Sequence, residues 1–280
     1  MIKLQRMNSL SELRNEYSKA SLDASAILPD PIAQFERWFH EAIEAKVLEP
    51  NAMNLSTINE NNRPSSRIVL LKGIEQNKFL FYTNYQSSKG QQLHKNPACA
   101  LTFFWPELER QVRIEGTTER VDETRSEKYF QSRPRGSQIG AWTSPQSAVV
   151  QSRAILEERA LEIEKRFEGL SSLPKPKQWG GYAVDPLIIE FWQGRPNRLH
   201  DRIQFTRIDN VWSICRLAPW FVNRYPLIGV SATSQCATIN QMKCENLGMT
   251  RRPFQISLWG APNAFCLHNL GSPLRITDND

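Results

Sequence analysis

The first half of the chain begins with a helical pattern and continues with strand patterns. Apolar residues recur at spacings of three and four over 32–47, which predicts an amphipathic helix. Asp30 suits the N-cap of this helix, and Pro31 suits its first position. The period then falls to two, which predicts antiparallel strands at 52–58, 66–72 and 78–83. The sequence therefore places a sheet directly after the first helix.

The pattern up to residue 219 adds further strands and a few helices. Strands are predicted at 98–105, 110–120, 179–182, 188–192, 202–205 and 211–214, and helices at 87–95, 122–131 and 152–167. The Gly-, Pro- and Ser-rich segment 132–150 has no period of its own, and we expect a functional loop there. Many short strands with few helices predict a mainly β protein with flanking helices (α+β), built as a barrel.

The chain divides into three segments by composition. Residues 1–29 are polar and read as an N-terminal arm or lid, and residues 30–219 carry the predicted barrel domain. In residues 220–280 only 8 of 61 side chains are charged, against 56 in the first 219. Because this last segment shows neither a helical nor a strand period, we expect an atypical, poorly ordered C-terminal extension.

Charge and composition exclude several classes of protein. The net charge is +6, with 35 Lys and Arg against 29 Asp and Glu. These charges are interspersed along the chain, which argues against a nucleic-acid-binding stripe. No apolar run approaches a membrane span or a signal-peptide core, so we expect a cytoplasmic protein without a membrane partner. The five cysteines show neither a metal-binding spacing nor a disulfide framework.

The densest cluster of candidate chemistry lies at 195–202. It holds Arg195, Arg198, His200 and Arg202 directly after a predicted strand. If this segment is extended, Arg198, His200 and Arg202 share one face and meet at one pocket wall. A histidine among permanent cations adds a group that titrates near neutrality. The alternative is a solvated turn with a few surface cations, and the sequence favours an anion-binding pocket.

Other segments offer further anion donors. They are Arg67 and Lys72 at the ends of one strand, Tyr82 and Thr83 before the helix containing Ser88 and Lys89, the group Tyr129, Arg133, Arg135 and Ser137, and the pair Gln146 and Ser147. For the first pair, a buried strand with solvated ends explains the pattern equally well. Together these donors exceed the needs of one monophosphate, which predicts two phosphate sites. The chain has no Walker or Rossmann phosphate loop and no metalloprotease or serine-hydrolase motif.

Ordered motifs along the chain carry a resemblance to a known family. They are RIVLLK at 67–72, FYTN at 81–84, ERQV at 109–112, YFQSRP at 129–134, SQIGAW at 137–142, WGGY at 179–182, EFWQG at 190–194 and RLHDR at 198–202. In this combination the chain resembles the pyridoxine/pyridoxamine 5′-phosphate oxidase family from about residue 14 to residue 219. The resemblance implies a split β-barrel homodimer that holds FMN at the subunit interface.

The resemblance also implies roles for individual residues. FMN would be held by Arg67, Ile68, Val69, Leu70, Leu71, Lys72, Tyr82, Thr83, Ser88, Lys89, Gln111, Gln146, Ser147, Trp192 and Arg202. The substrate would be bound by Arg14, Tyr17, Lys72, Tyr129, Arg133, Ser137, Arg198, Leu199 and His200, of which Arg198 and His200 would be catalytic. The family usually has a basic residue where this chain has Ser88, so one contact to the FMN phosphate would differ.

The reaction implied by the resemblance is oxidation of pyridoxamine or pyridoxine 5′-phosphate to pyridoxal 5′-phosphate, the biosynthesis and salvage step of vitamin B6 metabolism. FMN would accept the hydride, and O2 would then reoxidise the flavin and yield hydrogen peroxide. Two alternatives remain open at this point. One is a non-catalytic flavin- or pyridoxal-phosphate-binding protein on the same barrel, since a fold does not fix a function. The other, a nicotinamide-dependent flavin reductase, would need a nucleotide-binding surface that the sequence does not indicate.

Overall fold

A curled antiparallel sheet forms the body of the molecule. The computed structural model describes residues 16–23 and 25–219. Within them the sheet has nine strands: β1 (Ala52–Ile58), β2 (Pro64–Leu70), β3 (Gly73–Glu75), β4 (Lys78–Asn84), β5 (Ala98–Trp105), β6 (Arg110–Arg120), β7 (Trp179–Gln193), β8 (Asp201–Ile208) and β9 (Val211–Arg216). The main path through the sheet runs β2-β1-β5-β6-β7-β4-β3, and β8 and β9 branch from β7.

The long strand β7 explains the branching of the sheet. One edge of β7 pairs with β6, whereas the other edge pairs first with β4 and then with β8. The change occurs around Pro186, which has no backbone N–H to donate to a neighbouring strand. A register shift in β6 lies opposite, between Glu115 and Gly116. A Cβ at Gly116 would overlap the Asp185 carbonyl, so the close strand contact requires glycine.

Five helices flank the sheet in the described part of the chain: α1 (Pro31–Glu44), α2 (Ser88–Lys95), α3 (Glu123–Ser132), α4 (Arg135–Thr143) and α5 (Arg153–Arg166). The Asp30 carboxylate caps α1 by accepting from the Ile32 N–H at 2.9 Å. Asp122 caps α3 in the same way through the Arg125 N–H at 2.8 Å. Both caps satisfy N–H groups that a helix leaves unpaired at its start.

The main core lies between α1 and the concave face of the sheet. Phe35 of α1 is fully buried and contacts Phe79 and Phe103 edge-on, with ring centroids 5.0 and 4.9 Å apart. Trp38 packs on Phe191 in the same geometry. Burial of each such ring contributes roughly 1.5–3 kcal/mol, so the helix holds the sheet in its curled form.

A second, smaller core lies under α3, α4 and α5. It consists of Phe130, Ile139, Phe167, Leu173 and Trp179. The two cores meet along β7, because Trp179 is its first residue. The second core therefore fixes α3 and α4 beside the ends of β2 and β4, where many of the predicted site residues lie.

The structure confirms the predicted fold class, mainly β with flanking helices, and corrects three local predictions. The predicted loop 132–150 contains α4, whose sequence carries two helix-weakening glycines but buries Gln138 and Ile139. The two short strands predicted at 179–182 and 188–192 are one strand, and β3 was missed because it has only three residues. Residues 196–198 form a 3₁₀ turn in which Asn197 and Arg198 have positive φ, so the prediction of an extended segment is wrong there.

Residues 1–15, 24 and 220–280 lie outside the described residues, and so do Arg14 and the predicted extension.

Candidate functional site

Most of the predicted site residues between 68 and 146 line one cavity of about 570 Å³. Strands β2 and β4, helices α2, α3 and α4, and the segment after α4 form its walls. Its lining residues are Ile68, Val69, Leu70, Lys72, Tyr82, Thr83, Asn84, Lys89, Tyr129, Arg133, Pro134, Ser137, Gly140, Ala141, Ser144, Gln146 and Trp179. We call this space the main cavity. The size and the partly polar walls match a site for a small molecule.

Lys89 lines the main cavity, and the charge of Arg67 acts on it from nearby. The Lys89 ammonium is buried, and its Nζ donates to the hydroxyls of Thr83 at 3.2 Å and Ser87 at 3.4 Å. Burial, and then the charge of Arg67, lower the pKa of Lys89. The Arg67 guanidinium donates to the hydroxyls of Thr57 at 2.6 Å and Ser65 at 2.8 Å. Within the described residues neither cation has a carboxylate partner, so the pair favours an anion.

Another cation, Arg133, lines the main cavity beside an aromatic stack. The rings of Tyr82 and Tyr129 stack at 4.0 Å, and Tyr82 also stacks on Trp179 at 5.4 Å. The Arg133 guanidinium lies 4.7 Å from the Trp179 ring centroid. Its Nη1 is buried and has no hydrogen-bond partner among the described residues. A buried, unpaired guanidinium nitrogen is costly, so this position also favours an anion.

Burial shifts the pKa values of the two tyrosines that lie next to these cations. Burial, and then the other tyrosines and Asp122, raise the pKa of Tyr82 to about 12. Burial also raises the pKa of Tyr129, while the nearby Arg133 charge opposes this shift. Both phenols therefore stay protonated at pH 7 and can donate a hydrogen bond to a bound anion.

Other predicted residues take different positions around the main cavity. The Gln146 amide oxygen accepts from the Thr83 hydroxyl at 3.2 Å and from the Asn84 N–H at 3.4 Å, which ties the segment after α4 to β4. Leu71 is buried in the main core, so only its backbone can face a ligand. Ser88 and Ser147 are exposed and do not line the cavity. Arg135 turns away and donates to the carbonyls of Leu170 and Phe167.

The predicted residues of the second half form a separate group on neighbouring strands. Gln111 of β6 lies opposite Trp192 of β7, which lies opposite Arg202 of β8. The guanidinium of Arg202 binds the Glu190 carboxylate through Nε–Oε1 at 2.7 Å and Nη2–Oε2 at 3.1 Å. Glu190 is almost fully buried and also accepts from Arg113 at 3.1 Å. This pairing fixes the plane of the Arg202 guanidinium.

His200 and Tyr17 complete this second group. The His200 ring lies 4.6 Å from Trp192, and the Tyr17 ring lies 5.7 Å from each of them between centroids. The Arg195 N–H donates to Nδ1 of His200 at 3.1 Å, so a neutral His200 carries its proton on Nε2. Burial, and then the Arg198 charge, lower the pKa of His200, while Asp201 opposes them.

The expected convergence of Arg198, His200 and Arg202 on one wall is corrected by this geometry. Arg198 and Leu199 are exposed at the 3₁₀ turn, His200 packs on Trp192, and Arg202 is paired with Glu190. The positive φ of Asn197 and Arg198 breaks the alternation that an extended strand would impose. No described contact joins this second group to the main cavity within one chain.

Sequence reasoning missed three residues that shape these groups: Trp179, Glu190 and Glu109. Trp179 was taken only as part of a strand, yet its ring carries Arg133 and Tyr82. Glu190 could have been found from the sequence, because a carboxylate inside an apolar strand needs a cationic partner. Glu109 sits in the turn before β6, where its sequence position gives no such signal.

Comparisons with known proteins agree with this geometry. A family model described as Pyridoxamine 5′-phosphate oxidase matches residues 39–167, and one described as Pyridoxine 5′-phosphate oxidase C-terminal dimerisation region matches 179–219. A pyridoxine/pyridoxamine 5′-phosphate oxidase of Burkholderia thailandensis is 55% identical over 216 residues, which are 76% of this chain and 100% of the relative. The chain belongs to this family. It is accordingly an oxidoreductase, as the suspected resemblance implied.

Further relatives and solved structures support the family and its split-barrel fold. The oxidase of the same name from Burkholderia pseudomallei is 54% identical over the same share of both chains. PhzG from Burkholderia lata, solved with tetrahydrophenazine-1-carboxylic acid, is 28% identical, with a TM-score of 0.68 over 72% of this chain and all of its own. An FMN-binding protein of Nostoc punctiforme related to the family shares the fold at a TM-score of 0.54 and 17% identity, over 69% of this chain and 99% of its own.

The described residues contain neither a candidate membrane span nor a candidate metal site. No helix there is long and apolar enough to cross a membrane. No cluster of three or more His, Cys, Asp or Glu side chains in the same part of the chain is arranged to hold a metal ion.

Proposed function

We propose that this chain oxidises pyridoxamine and pyridoxine 5′-phosphate to pyridoxal 5′-phosphate in the cytoplasm. Bound FMN would supply the redox chemistry, taking a hydride from the substrate and passing electrons to O2 to give hydrogen peroxide. One observation carries the proposal. Lys89, with Arg67 beside it, and Arg133 on the aromatic stack give the main cavity cations, and none of these three has a carboxylate partner among the described residues.

The residues around Lys89 fit the phosphate of FMN. The partly desolvated Lys89 binds the Thr83 and Ser87 hydroxyls, Arg67 acts on it from nearby, and helix α2 starts at the same place. Amides at a helix N-terminus and charge-assisted bonds both favour a phosphate. The lining also includes β2 at Ile68, Val69 and Leu70, whose backbone would lie against the flavin. The exposed Ser88 would contribute at most a hydroxyl at the rim.

The residues around Arg133 fit the phosphate of the substrate. Arg133 would supply the buried guanidinium, Tyr129 a protonated phenol, and Ser137 and Lys72 further donors from α4 and the end of β2. This clamp would hold the phosphate away from the reacting carbon. Binding energy from the phosphate would then orient the substrate for hydride loss.

Arg198 and His200 would act on the substrate ring. Burial, and then the Arg198 charge, lower the pKa of His200 and so favour its neutral form, which holds its proton on Nε2 and would donate a hydrogen bond from that atom. The exposed Arg198 would place a positive charge near the ring and stabilise negative charge that develops there. Tyr17 would pack against His200 on the side away from the substrate ring.

A homodimer would join the two groups of residues. They lie apart in one chain, and the region described as a dimerisation region in the family, 179–219, contains Trp192, Arg198, His200 and Arg202. In a two-fold dimer every contact between two different surfaces occurs twice, so if the second group of one protomer faces the main cavity of its partner, the reverse contact forms as well. Two equivalent sites would form at the interface.

The activity is tested on the purified full-length protein. We expect a yellow protein whose flavin absorbance is bleached anaerobically by pyridoxamine 5′-phosphate and recovers in air with release of hydrogen peroxide. Bound flavin that the substrate does not bleach would support the non-catalytic alternative instead. Absence of any flavin after reconstitution with FMN would contradict the proposal.

The shared site is tested with hybrid dimers. We expect Arg67→Ala and His200→Ala each to be nearly inactive as homodimers. A purified hybrid of the two would contain one site with both changes and one intact site, so it should regain about half of the native turnover. A hybrid without recovered turnover would show that each site lies within one protomer.

A further inference from the structure

A carboxylate in the turn between β5 and β6 holds the N-terminal arm. Glu109 is almost fully buried, although it lies in a turn. Its Oε2 accepts from two successive backbone N–H groups, those of Ser18 at 2.9 Å and Lys19 at 3.0 Å. Hydrogen bonds to a charged acceptor are about twice as strong as neutral ones, so this contact is a firm anchor for a segment without secondary structure.

Further contacts tie the next residues of the arm to the same end of the sheet. Arg195 donates to the Ala20 carbonyl at 3.2 Å. The Leu22 N–H donates to Asp201 at 3.0 Å, and Arg216 donates to the Leu22 carbonyl at 3.0 Å. All of these side chains bind backbone atoms of the arm. Side chains of the domain therefore hold the backbone of the arm, while the arm adds the Lys19 bond to the Glu107 carbonyl and the buried Leu22 side chain.

The anchor at Glu109 determines where Tyr17 lies. Tyr17 immediately precedes the two anchored N–H groups, and its ring packs on Trp192 and His200. A Cβ on Gly194 would come within 2.8 Å of the Tyr17 ring and 3.0 Å of the Glu109 side chain. Tyr17 thus fits closely between Gly194, Glu109 and the two rings, and a small shift of the arm would remove it from them.

We propose that Glu109 is a positioning residue, which acts through the Ser18 and Lys19 amides to place Tyr17 against His200 and Trp192. Glu109 itself does not touch the substrate. The consequence for substrate binding rests on the function proposed above, whereas the anchoring of the arm does not. One oxygen accepts both bonds, so the position of the acceptor is the main requirement of this role, and the charge adds to the strength of the anchor.

The experiment compares three variants of the full-length protein. Glu109→Ala removes the acceptor, Glu109→Gln keeps a carbonyl oxygen in its place, and Glu107→Ala is the matched control in the same turn, where the carboxylate does not bind the arm. Hydrogen exchange read by mass spectrometry reports the amides of the peptide that contains residues 17–20. Flavin content, kcat and KM for pyridoxamine 5′-phosphate are measured on the same samples.

We expect arm exchange in Glu109→Ala to accelerate about tenfold or more, because loss of charge-assisted hydrogen bonds is worth that factor. KM should rise about tenfold with flavin content unchanged. Glu109→Gln should recover most of both values, and Glu107→Ala should match the native protein. Ser18→Pro removes one of the two donors from the arm without touching the sheet, so it should reproduce part of the Glu109→Ala effect even if that variant folds poorly.

Three results would overturn the inference. Unchanged exchange in both Glu109→Ala and Ser18→Pro would show that the anchor does not hold the arm. Faster exchange with native KM and kcat would show that the arm position does not matter to the reaction. Failure of Glu109→Gln to recover would mean that the charge, and not the acceptor geometry, is responsible. If the native protein lacks oxidase activity, the proposed function fails, and the exchange data still decide the anchoring.

Discussion

The surroundings of Arg133 decide whether its charge is available to a bound anion. Its Nη1 is buried and has no hydrogen-bond partner in the part of the chain that the structure describes, and burial lowers the pKa of its guanidinium. Arg135, two residues later, carries the same charge but uses it to bind the last carbonyls beside α5. The two arginines are equivalent in the sequence, and only one of them is available to an anion.

This difference predicts distinct effects of two matched substitutions. Arg133→Ala should raise KM for pyridoxamine 5′-phosphate about tenfold or more, since a charge-assisted phosphate contact contributes on the order of 1.5–3 kcal/mol. Arg135→Ala should leave KM near its native value. Steady-state kinetics of both variants check this, and an unchanged KM in Arg133→Ala would remove Arg133 from the phosphate site.

Arg198 and His200 lead to a second prediction at this scale. Because both belong to the group assigned to the substrate, Arg198→Ala and His200→Ala should keep FMN bound and lose turnover. Flavin content from the absorbance spectrum and kcat under saturating substrate separate the two effects. The assignment fails if both variants lose flavin and regain normal turnover when excess FMN is added.

The titration of His200 gives a pH prediction. Burial, and then the Arg198 charge, lower its pKa, so its NMR midpoint should lie below the usual 6.5. Arg198→Ala should move this midpoint upward. With a pKa lowered in the folded state, the Arg195 hydrogen bond to Nδ1 is present at neutral pH and is lost as pH falls through the folded pKa. A midpoint above 6.5, or one that ignores Arg198→Ala, would contradict this.

At the scale of elements, helix α4 matters most, because it carries Ser137 and stands beside Arg133. Its sequence includes Gly136 and Gly140, which weaken a helix. The buried Gln138 compensates: its amide donates to the Arg133 carbonyl at 2.9 Å and accepts from the Leu173 N–H at 3.0 Å. Tertiary contacts therefore hold this helix in place.

Gln138→Met should show that helix α4 depends on the tertiary contacts of Gln138. The change leaves the buried Leu173 N–H and Arg133 carbonyl without partners, at a cost on the order of 2–4 kcal/mol of unfolding free energy. KM for the substrate should rise as well, since Arg133 loses its backbone support. Urea denaturation and kinetics check both effects, with the exposed Gln151→Met as control. Equal stability of the two variants would refute this role of Gln138.

At the scale of the whole molecule, the family match and the described structure both extend to residue 219. The last described contacts join this end to β8, where the Leu217 N–H donates to the Arg202 carbonyl at 2.9 Å. The relative from Burkholderia thailandensis is matched over its full length by 76% of this chain. Residues 220–280 are therefore additional to what the family shares with this chain.

We predict that residues 220–280 are dispensable for flavin binding and oxidase activity. A chain ending at Pro219 should keep the flavin content, the dimeric state and the turnover of the full-length protein. Absorbance, light scattering and kinetics on the two proteins compare these properties. Loss of flavin or of the dimer on truncation would show that the segment is structural, as a small added domain packed on the barrel would be.

The sequence by itself determined most of the secondary structure and the identity of the family. Strands such as β5 and β6 and the capped start of α1 were predicted closely, because periodicity and capping are local properties of the chain. The tertiary structure decided the rest. Helix α4 depends on the contacts of Gln138, and the turn at Arg198 removes the expected common face. Arg202 pairs with the buried Glu190, and Glu109 positions Tyr17. Each of these outcomes depends on partners far apart in the chain, which no local pattern encodes.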